Sequence, residues 1–205
     1  MESASATAES SSRLSRAIFS HRLHVGLAVV ALGGLVVRPG NVFGSHRALG
    51  VSASVALVLL GLALRAWAGG CAGAHTRKAT IEAPRLVTGG PFAYVRNPIY
   101  LASIVLGLGM VGLLGDPWMF ALYVGVFVFL YTAIVPAEET FLRKTFPEEF
   151  ARYCENVPRM LPRFTRWKGA APVQFARSAI RGEARLGLVL VAIYGFMRLA
   201  AWLRA

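Results

Sequence analysis

Residues 98–137 read PIYLASIVLGLGMVGLLGDPWMFALYVGVFVFLYTAIVPA, and Asp116 is the one charged residue in this stretch. The apolar residues form two blocks, 98–115 and 117–137, each near the about 20 residues that a helix needs to cross a bilayer. Gly115, Asp116 and Pro117 leave room only for a tight turn between the two blocks. The stretch therefore predicts an antiparallel pair of membrane-spanning helices.

Three further apolar runs extend this pattern, at about 23–37, 48–68 and 186–203. Arg65 lies near the end of the second run, where its side chain can reach the membrane interface. Arg198 interrupts the last run, which could span the bilayer, tilt in it or lie on its surface. Hydrophobic residues make up 56% of the chain and charged residues 16%, against roughly a quarter charged in soluble domains. The pattern predicts an all-α, polytopic membrane helix bundle of about five transmembrane helices.

The remaining composition predicts three regions. Residues 1–20 are rich in Ser and Ala and are predicted to be a disordered or interfacial tail, without the cleavage site of a signal peptide. Residues 21–165 are predicted to form the core, with four spans and two polar loops. Residues 166–205 are predicted to be a basic linker and a C-terminal helix.

The net charge of +12 lies almost wholly between the apolar runs. In a soluble protein this charge would indicate nucleic acid, but here its placement is typical of contact with the anionic lipids of a cytoplasmic leaflet. Segments 69–97 and 138–185 carry most of the basic residues, whereas the opposite side has only Arg38 and Arg47. The positive-inside rule therefore predicts that the N-terminus and both long polar segments are cytoplasmic.

The first polar segment ends in a sequence typical of a helix start. Asn97 and Pro98 suit the N-cap and the first helical position, and Gly89-Gly90-Pro91 predicts a turn just before them. The backbone N–H groups of such a helix end favour a carboxylate or phosphate. Aromatic faces attract cations, including a sulfonium, and three aromatic residues surround this point: Phe92, Tyr94 and Tyr100. A zwitterionic ligand such as S-adenosylmethionine fits both features, and an ordinary interfacial aromatic belt explains the rings equally well.

The second polar segment begins with two adjacent carboxylates, Glu138 and Glu139, at the end of the fourth run. Such groups are costly to desolvate without a partner, and Arg143 is spaced to pair with Glu139 along a helix. Pro147 predicts a break followed by a short helix, whose first turn Glu148 and Glu149 would cap.

Two other patterns carry no chemistry. Gly107, Gly109 and Gly112 match the GxGxxG dinucleotide fingerprint, but they lie inside an apolar span with no preceding strand. Close helix packing is the better interpretation, and a Rossmann domain is excluded. Cys71 and Cys154 have no metal-ligand spacing, so we expect free thiols and no metal site.

The two motifs together, GPFAYVRNPIYLA at 90–102 and EETFLRKTFPEEFARYCENVPRMLPRF at 138–164, resemble the isoprenylcysteine carboxyl methyltransferase family and its phospholipid methyltransferase relatives. Bacterial members also carry an element similar to Ala72–Lys78. The resemblance covers about residues 63–163. It implies a membrane fold without a Rossmann domain, a bacterial inner-membrane location, and S-adenosylmethionine bound between cytoplasmic helix ends.

The resemblance also implies which residues form the site. The implied cofactor contacts are Arg77, Pro84, Arg85, Leu86, Val87, Gly90, Phe92, Tyr94, Asn97, Pro98, Ile99, Tyr100 and Glu138. The residues implied near the reaction itself are Arg96, Glu139 and His75. His75 or Glu139 could remove a proton from an amine or thiol acceptor, although His75 is more typical of a polar loop residue.

Two departures bear on the substrate. Eukaryotic members have His where this chain has Asn97, and they have an Arg one turn before the Glu pair where this chain has Ile134. A prenylcysteine carboxylate would lose its counter-charge there. The predicted function is transfer of a methyl group to a lipophilic or membrane-associated carboxylate, amine or thiol. The alternatives are an NADPH-dependent sterol or enone reductase and a non-catalytic membrane protein. The sequence gives no sign of the oligomeric state.

Overall fold

The computed structural model describes residues 42–73 and 85–203, which form five α-helices and no β-strand. The helices are α1 (Arg47–Ala72), α2 (Pro98–Leu114), α3 (Pro117–Thr145), α4 (Pro147–Asn156) and α5 (Ser178–Trp202). Short 3-10 turns cover Gly44–His46 and Gly90–Ala93. This confirms the predicted helical membrane bundle. The first apolar run, 23–37, and the N-terminal tail lie outside the described residues.

The hairpin predicted from residues 98–137 is present. Helix α2 ends at Leu114, and Gly115 adopts the left-handed conformation, with φ +67°, that reverses the chain. The Asp116 carboxylate then accepts hydrogen bonds from the backbone N–H groups of Trp118 (2.8 Å) and Met119 (3.1 Å). Asp116 therefore caps α3, which explains a single charge between two apolar helices.

Glycines bring α1 and α2 close together. A Cβ atom on Gly109 would lie 2.7 Å from both the carbonyl oxygen of Ser54 and the backbone nitrogen of Val58. Gly112 similarly faces the Ser54 hydroxyl, and Gly61 on α1 faces the backbone of Leu106. The interpretation of the glycine pattern as a helix-packing motif is confirmed, and these contacts lie within one chain.

Helix α5 begins at Ser178, before the predicted apolar run, and lies antiparallel to α1. Its first turns lie beside the end of α1, where Ala179 approaches Gly69. Near its other end, Met197 packs with Val111, Leu114 and Met119. Helix α5 thus follows the bundle from one end to the other.

A half-buried ion pair joins α1, α2 and α5. Arg65 Nε donates to Glu183 Oε2 at 2.9 Å, and Arg65 Nη1 donates to the Ser103 hydroxyl at 2.5 Å. Arg65 therefore does not extend alone to the interface, as the sequence suggested, because α5 supplies its counter-charge. A charged group inside an apolar bundle is stable when it is paired in this way.

Two helices are long and apolar enough to cross a membrane: α1 with its preceding turn, Gly44–Ala72, and α3, Pro117–Thr145. Less than a fifth of the most apolar window of either helix is buried. The core helix of a soluble protein would be mostly buried, so these surfaces fit lipid as their solvent. Helix α2 is apolar but shorter. The protein is therefore membrane-associated.

The break predicted at Pro147 is confirmed, since α3 ends at Thr145 and α4 begins at Pro147. Glu148 and Glu149 lie in the first turn of α4, as predicted. After α4 the chain continues without regular structure through residues 157–177, here called the strap, before α5 begins. Cys71 and Cys154 are free thiols, as expected.

The close approach of α1 and α2 can be tested with two glycine variants. Gly109→Ala should lower the stability by about 1–3 kcal/mol, because the added methyl group meets immobile backbone atoms. Gly125→Ala is the control, since nothing lies within 4 Å of its added methyl group, and it should be neutral or stabilising. Thermal unfolding in detergent measures both, at about 2–4 °C per kcal/mol. Equal midpoints for the two variants would contradict the packing.

Candidate functional site at the loop end of the bundle

Three helix ends meet at one end of the bundle: the C-terminus of α1, the N-terminus of α2 and the C-terminal third of α3. We call this the loop end. At about 1.5 Å per residue, the 29 residues of α3 measure about 44 Å, which exceeds the about 30 Å of a hydrocarbon core. About 20 residues counted from Pro117 reach Ala137. Glu138 and Glu139 therefore follow where the hydrocarbon would end.

The start of α2 differs in one respect from the prediction. Asn97 does occupy the N-cap position and Pro98 the first helical position. However, the Asn97 side chain makes no capping hydrogen bond, because its amide nitrogen instead donates to the carbonyl oxygen of Arg159 at 3.0 Å. Helix α2 therefore begins without a side-chain cap, and Asn97 ties the helix start to the strap.

Glu139 is the charged centre of the site. It is 5% exposed, and both of its oxygens accept hydrogen bonds from Arg159, Nε at 3.1 Å to each and Nη2 at 2.5 Å to Oε2. Arg96 Nε lies 3.4 Å from Glu139 Oε1. The hydrogen bond to Glu139 raises the pKa of the Arg159 guanidinium above its usual value. We call Arg96, Glu139 and Arg159 the charge cluster.

The predicted pairing of Glu139 with Arg143 is wrong. Arg143 is exposed, and its guanidinium lies 6.0 Å from the ring centre of Phe150. Glu139 instead faces the bundle, where Arg96 and Arg159 from two distant segments reach it. A buried carboxylate needs close counter-charges, and a neighbour on the exposed side of the same helix cannot supply them.

The strap lies along the loop that precedes α2. The backbone N–H of Arg96 donates to Pro158 O at 2.8 Å, and the N–H groups of Arg163 and Trp167 donate to the carbonyl oxygens of Tyr94 and Ala93 at 3.0 Å. Further along, Ala171 N–H donates to the buried Thr88 hydroxyl at 2.9 Å, and Ala176 N–H donates to Gly70 O on α1. The strap therefore joins α4 to the loop end.

A small apolar core supports this arrangement. Phe150, Tyr153 and Val157 are buried together, with Leu86 and Trp167 packed against them. The Tyr153 hydroxyl donates to Phe92 O at 2.7 Å. Burial raises the pKa of Tyr153 well above its usual value, so the phenol stays a donor throughout the physiological range.

Aromatic side chains line the face of α3 that turns toward α2. Tyr131 stacks on Phe127 with ring centres 6.1 Å apart, and it meets Tyr100 edge-on at 6.4 Å. Phe127 in turn lies 6.2 Å from Tyr123, whose hydroxyl donates to the carbonyl oxygens of Ser103 and Ile104. The Tyr131 hydroxyl is close enough to interact electrostatically with all three residues of the charge cluster.

Among the described residues, Tyr131 Oη and Arg96 Nε are buried and have no hydrogen-bond partner. Such atoms are rare in folded proteins and each costs about 1–3 kcal/mol. Arg96 Nε is within ion-pair distance of Glu139, but the hydrogen-bond geometry is not met. Arg96 Nε lies beside the Glu139 carboxylate, and the Tyr131 ring lies against Tyr100 in the first turn of α2.

The predicted site residues fall into three sets. His75, Arg77 and Pro84 lie outside the described residues. The second set lies in the loop before α2 but away from the charge cluster. In this set Arg85 is exposed, Val87 is half-buried and Leu86 packs into the small apolar core. Gly90 (φ +62°) lies against Cys71, and the Tyr94 ring lies near Trp67. The third set lies around the N-terminus of α2 and the charge cluster: Phe92, Arg96, Asn97, Pro98, Ile99, Tyr100, Glu138 and Glu139.

Sequence reasoning missed Arg159 and Tyr131. Arg159 is one of several basic residues after α4, and no local spacing relates it to Glu139. Tyr131 lies in an apolar run and reads as an ordinary interfacial or core aromatic residue. The one available signal was its spacing of four and eight residues from Phe127 and Tyr123, which predicts a shared helix face.

An all-helical membrane bundle with carboxylates beside a helix N-terminus agrees with the resemblance to the membrane-embedded methyltransferases. Residues 49–149 match the family model for phospholipid methyltransferase. That family is part of the membrane methyltransferase group that includes isoprenylcysteine carboxyl methyltransferase, and the match covers just under half of the chain. The family implies methyltransferase activity in general.

Two relatives are similar over part of their length. The cobalt-zinc-cadmium resistance protein CzcN of Cupriavidus metallidurans is 32% identical over 84 residues, which are 41% of this chain and 38% of that protein. The nickel-cobalt-cadmium resistance protein NccN of Alcaligenes xylosoxydans xylosoxydans is 29% identical over 84 residues, 41% of this chain and 39% of that protein. The match thus spans less than two fifths of either relative. No solved structure matches the chain significantly.

The charge cluster should keep the strap in place. Glu139→Gln removes the counter-charge of two arginines, so the strap should separate more often from the loop before α2. Trypsin should then cleave after Arg166 and Lys168 several times faster than in the wild type, as followed by mass spectrometry. Glu148→Gln is the control, because Glu148 is exposed on α4 and its loss should leave the cleavage rate unchanged. Unchanged cleavage of Glu139→Gln would show that the cluster does not fasten the strap.

The two tyrosines of α3 should respond differently to loss of their hydroxyls. Tyr123→Phe removes a donor to two carbonyl groups and should cost about 0.5–1 kcal/mol. Tyr131→Phe removes a hydroxyl that has no hydrogen-bond partner in residues 42–73 and 85–203, so it should leave the unfolding midpoint unchanged or raise it. Thermal unfolding of the ligand-free protein compares them. A Tyr131→Phe loss as large as that of Tyr123→Phe would mean that the Tyr131 hydroxyl is satisfied.

Proposed function

We propose that this protein is an S-adenosylmethionine-dependent methyltransferase that acts on a lipophilic or membrane-associated small acceptor. The observation that carries the proposal is that two buried polar atoms, Tyr131 Oη and Arg96 Nε, have no hydrogen-bond partner among the described residues. Arg96 lies beside Glu139 where a helix begins without a side-chain cap, and the Tyr131 ring lies against Tyr100 in the first turn of that helix. A polar ligand with both charged and apolar parts fits this place, and the match to the family model supports a methyl donor.

Three parts of the cofactor have a matching group in the chain. The N-terminus of α2 carries the positive end of a helix dipole, and with Arg96 it would hold the cofactor's carboxylate. Glu138, half-buried on the last turns of α3, would orient the amino group or the ribose. The rings of Phe92 and Tyr100, both half-buried, would face the sulfonium.

Bound S-adenosylmethionine supplies a methyl group on a good leaving group, so the protein mainly positions the reactants and excludes water. The charge cluster defines the role of Glu139 in this scheme. Because Arg159 donates to both of its oxygens, Glu139 is a positioning residue that holds the strap and Arg96, rather than a base. An acceptor that has no proton to lose, such as a carboxylate or an ionised thiol, suits this arrangement; a neutral amine would lose its proton after methylation.

The acceptor would approach along the aromatic side of α3. Tyr131 lies seven residues, about two turns, before Glu138, and its ring faces Tyr100 at the start of α2. A lipophilic molecule could therefore place its apolar part against Phe127 and Tyr123 and its polar head at the Tyr131 hydroxyl. Ile134 is buried and offers no charge for a prenylcysteine carboxylate, so we do not assign that substrate.

The names of the two relatives concern resistance to metal ions. We do not extend this to metal binding, since residues 42–73 and 85–203 contain no group of three or more His, Cys, Asp or Glu that could hold an ion. Methylation of a membrane component in a cell exposed to toxic metal ions is a role that fits both the names of the relatives and the family model. We place the protein in a bacterial inner membrane with the loop end facing the cytoplasm, as the basic residues of both polar segments favour.

Titration calorimetry of the detergent-purified chain tests the cofactor. S-adenosylmethionine should bind, and Glu138→Ala should weaken binding about 10- to 150-fold through loss of a charged hydrogen bond. Glu148→Ala, an exposed carboxylate on α4, should bind as the wild type does.

NADPH is titrated separately, because the reductase alternative requires it. Binding of NADPH alone would replace the methyltransferase with a reductase. Binding of neither ligand by protein that keeps its unfolding midpoint would favour a non-catalytic membrane protein. Wild-type affinity in Glu138→Ala would remove Glu138 from the site.

A further inference from the structure

The strap presents large apolar side chains that the fold does not use. Phe164 is fully exposed and Leu161 is 80% exposed, although both lie in a segment pinned by backbone hydrogen bonds on either side. Two large apolar side chains exposed within four residues of one pinned segment are typical of a surface that contacts a partner or a membrane. Here the inward positions are taken by Val157 and Trp167, which pack into the small apolar core.

Basic residues alternate with these apolar ones. Residues 157–177 contain five basic residues and no acidic residue. Arg159 is bound to Glu139, and Arg163 donates to Asn156 O, so both are engaged within the chain. Arg166, Lys168 and Arg177 are exposed and have no ion pair among the described residues. The free surface of the strap is therefore cationic and apolar at once.

The position of the strap decides what this surface meets. The strap contacts the loop before α2, the last turn of α1 and Glu139 on α3, so it lies where three apolar helices end. In a membrane-spanning bundle this level is the lipid head-group region. Segments that combine Lys or Arg with Phe or Leu bind there, with the apolar groups below the head groups and the cations among the phosphates.

We propose that the strap is an interfacial anchor for anionic phospholipid, with Phe164 and Leu161 inserted below the head groups and Arg166 and Lys168 among them. This inference stands apart from methyl transfer, because it rests on the exposure, charge and position of the strap alone. Its consequence for the site is mechanical. Lipid on the outer side of the strap and Glu139 on its inner side would hold Arg159 and the strap over the N-terminus of α2.

Spin-label accessibility in nanodiscs tests the proposal. A nitroxide is attached at Phe164→Cys in a Cys154→Ser background, in which the remaining Cys71 is buried. Collision rates with oxygen, which concentrates in lipid, and with a water-soluble nickel chelate report the surroundings. Val128→Cys on the exposed face of α3 and Glu148→Cys on α4 provide the lipid and water references.

In phosphatidylglycerol nanodiscs the label at 164 should favour oxygen, as the label at 128 does. Each basic residue near an anionic surface shifts such an equilibrium about fivefold, so Arg166→Gln with Lys168→Gln should shift the strap toward the undocked state about thirtyfold. In phosphatidylcholine nanodiscs this double variant should have much less effect.

Three results would overturn the proposal. Preferential collision with the nickel chelate would place Phe164 in water. Shielding from both reagents would mean that a protein surface, such as a second copy of this chain, covers it. An oxygen preference that is the same in both lipids and in the double variant would exclude recognition of anionic lipid.

Discussion

The loop end depends on the need to neutralise one buried carboxylate. Glu139 lies where α3 leaves the apolar bundle, and a charge there is stable only with close partners. The partners come from two segments distant in sequence, Arg96 before α2 and Arg159 after α4. Satisfying Glu139 therefore brings the loop, the strap and α3 together. The unfilled hydrogen-bonding atoms lie at this junction, which links the folding requirement to the site.

The bundle provides a rigid frame for this junction. Small residues let α1 and α2 approach until backbone meets backbone, and the Arg65–Glu183 pair with Ser103 fixes α5 beside them. Helix α3 is packed mainly through its aromatic face, where Tyr123 bonds to the backbone of α2 and Tyr131 does not. One side of α3 is thus fixed deep in the bundle, whereas the Tyr131 hydroxyl has no hydrogen-bond partner among the described residues.

Much of this fold could be predicted from the sequence, because a bilayer requires long apolar helices and local residue patterns reveal where such helices begin, end and pack. Apolar length predicted the hairpin around Asp116, glycine spacing predicted close helix packing without naming the partner helix, and Pro147 predicted the break before α4. The partners of Glu139, Asn97 and Arg65 could not be predicted, since each lies at least 20 residues away. Local spacing instead suggested Arg143, a side-chain cap and an unpaired arginine. Pairing between distant residues depends on how the helices pack against one another, and residue spacing within one segment gives no information about that packing.

We propose that the cofactor occupies the junction of α2, α3 and the strap. This can be examined by hydrogen exchange of the wild-type chain in nanodiscs, with and without saturating S-adenosylhomocysteine. We expect slower exchange in residues 86–101 and in the part of the strap that pairs with them, with no change in α5. Protection confined to other segments, or unchanged exchange under conditions where calorimetry detects binding, would contradict it.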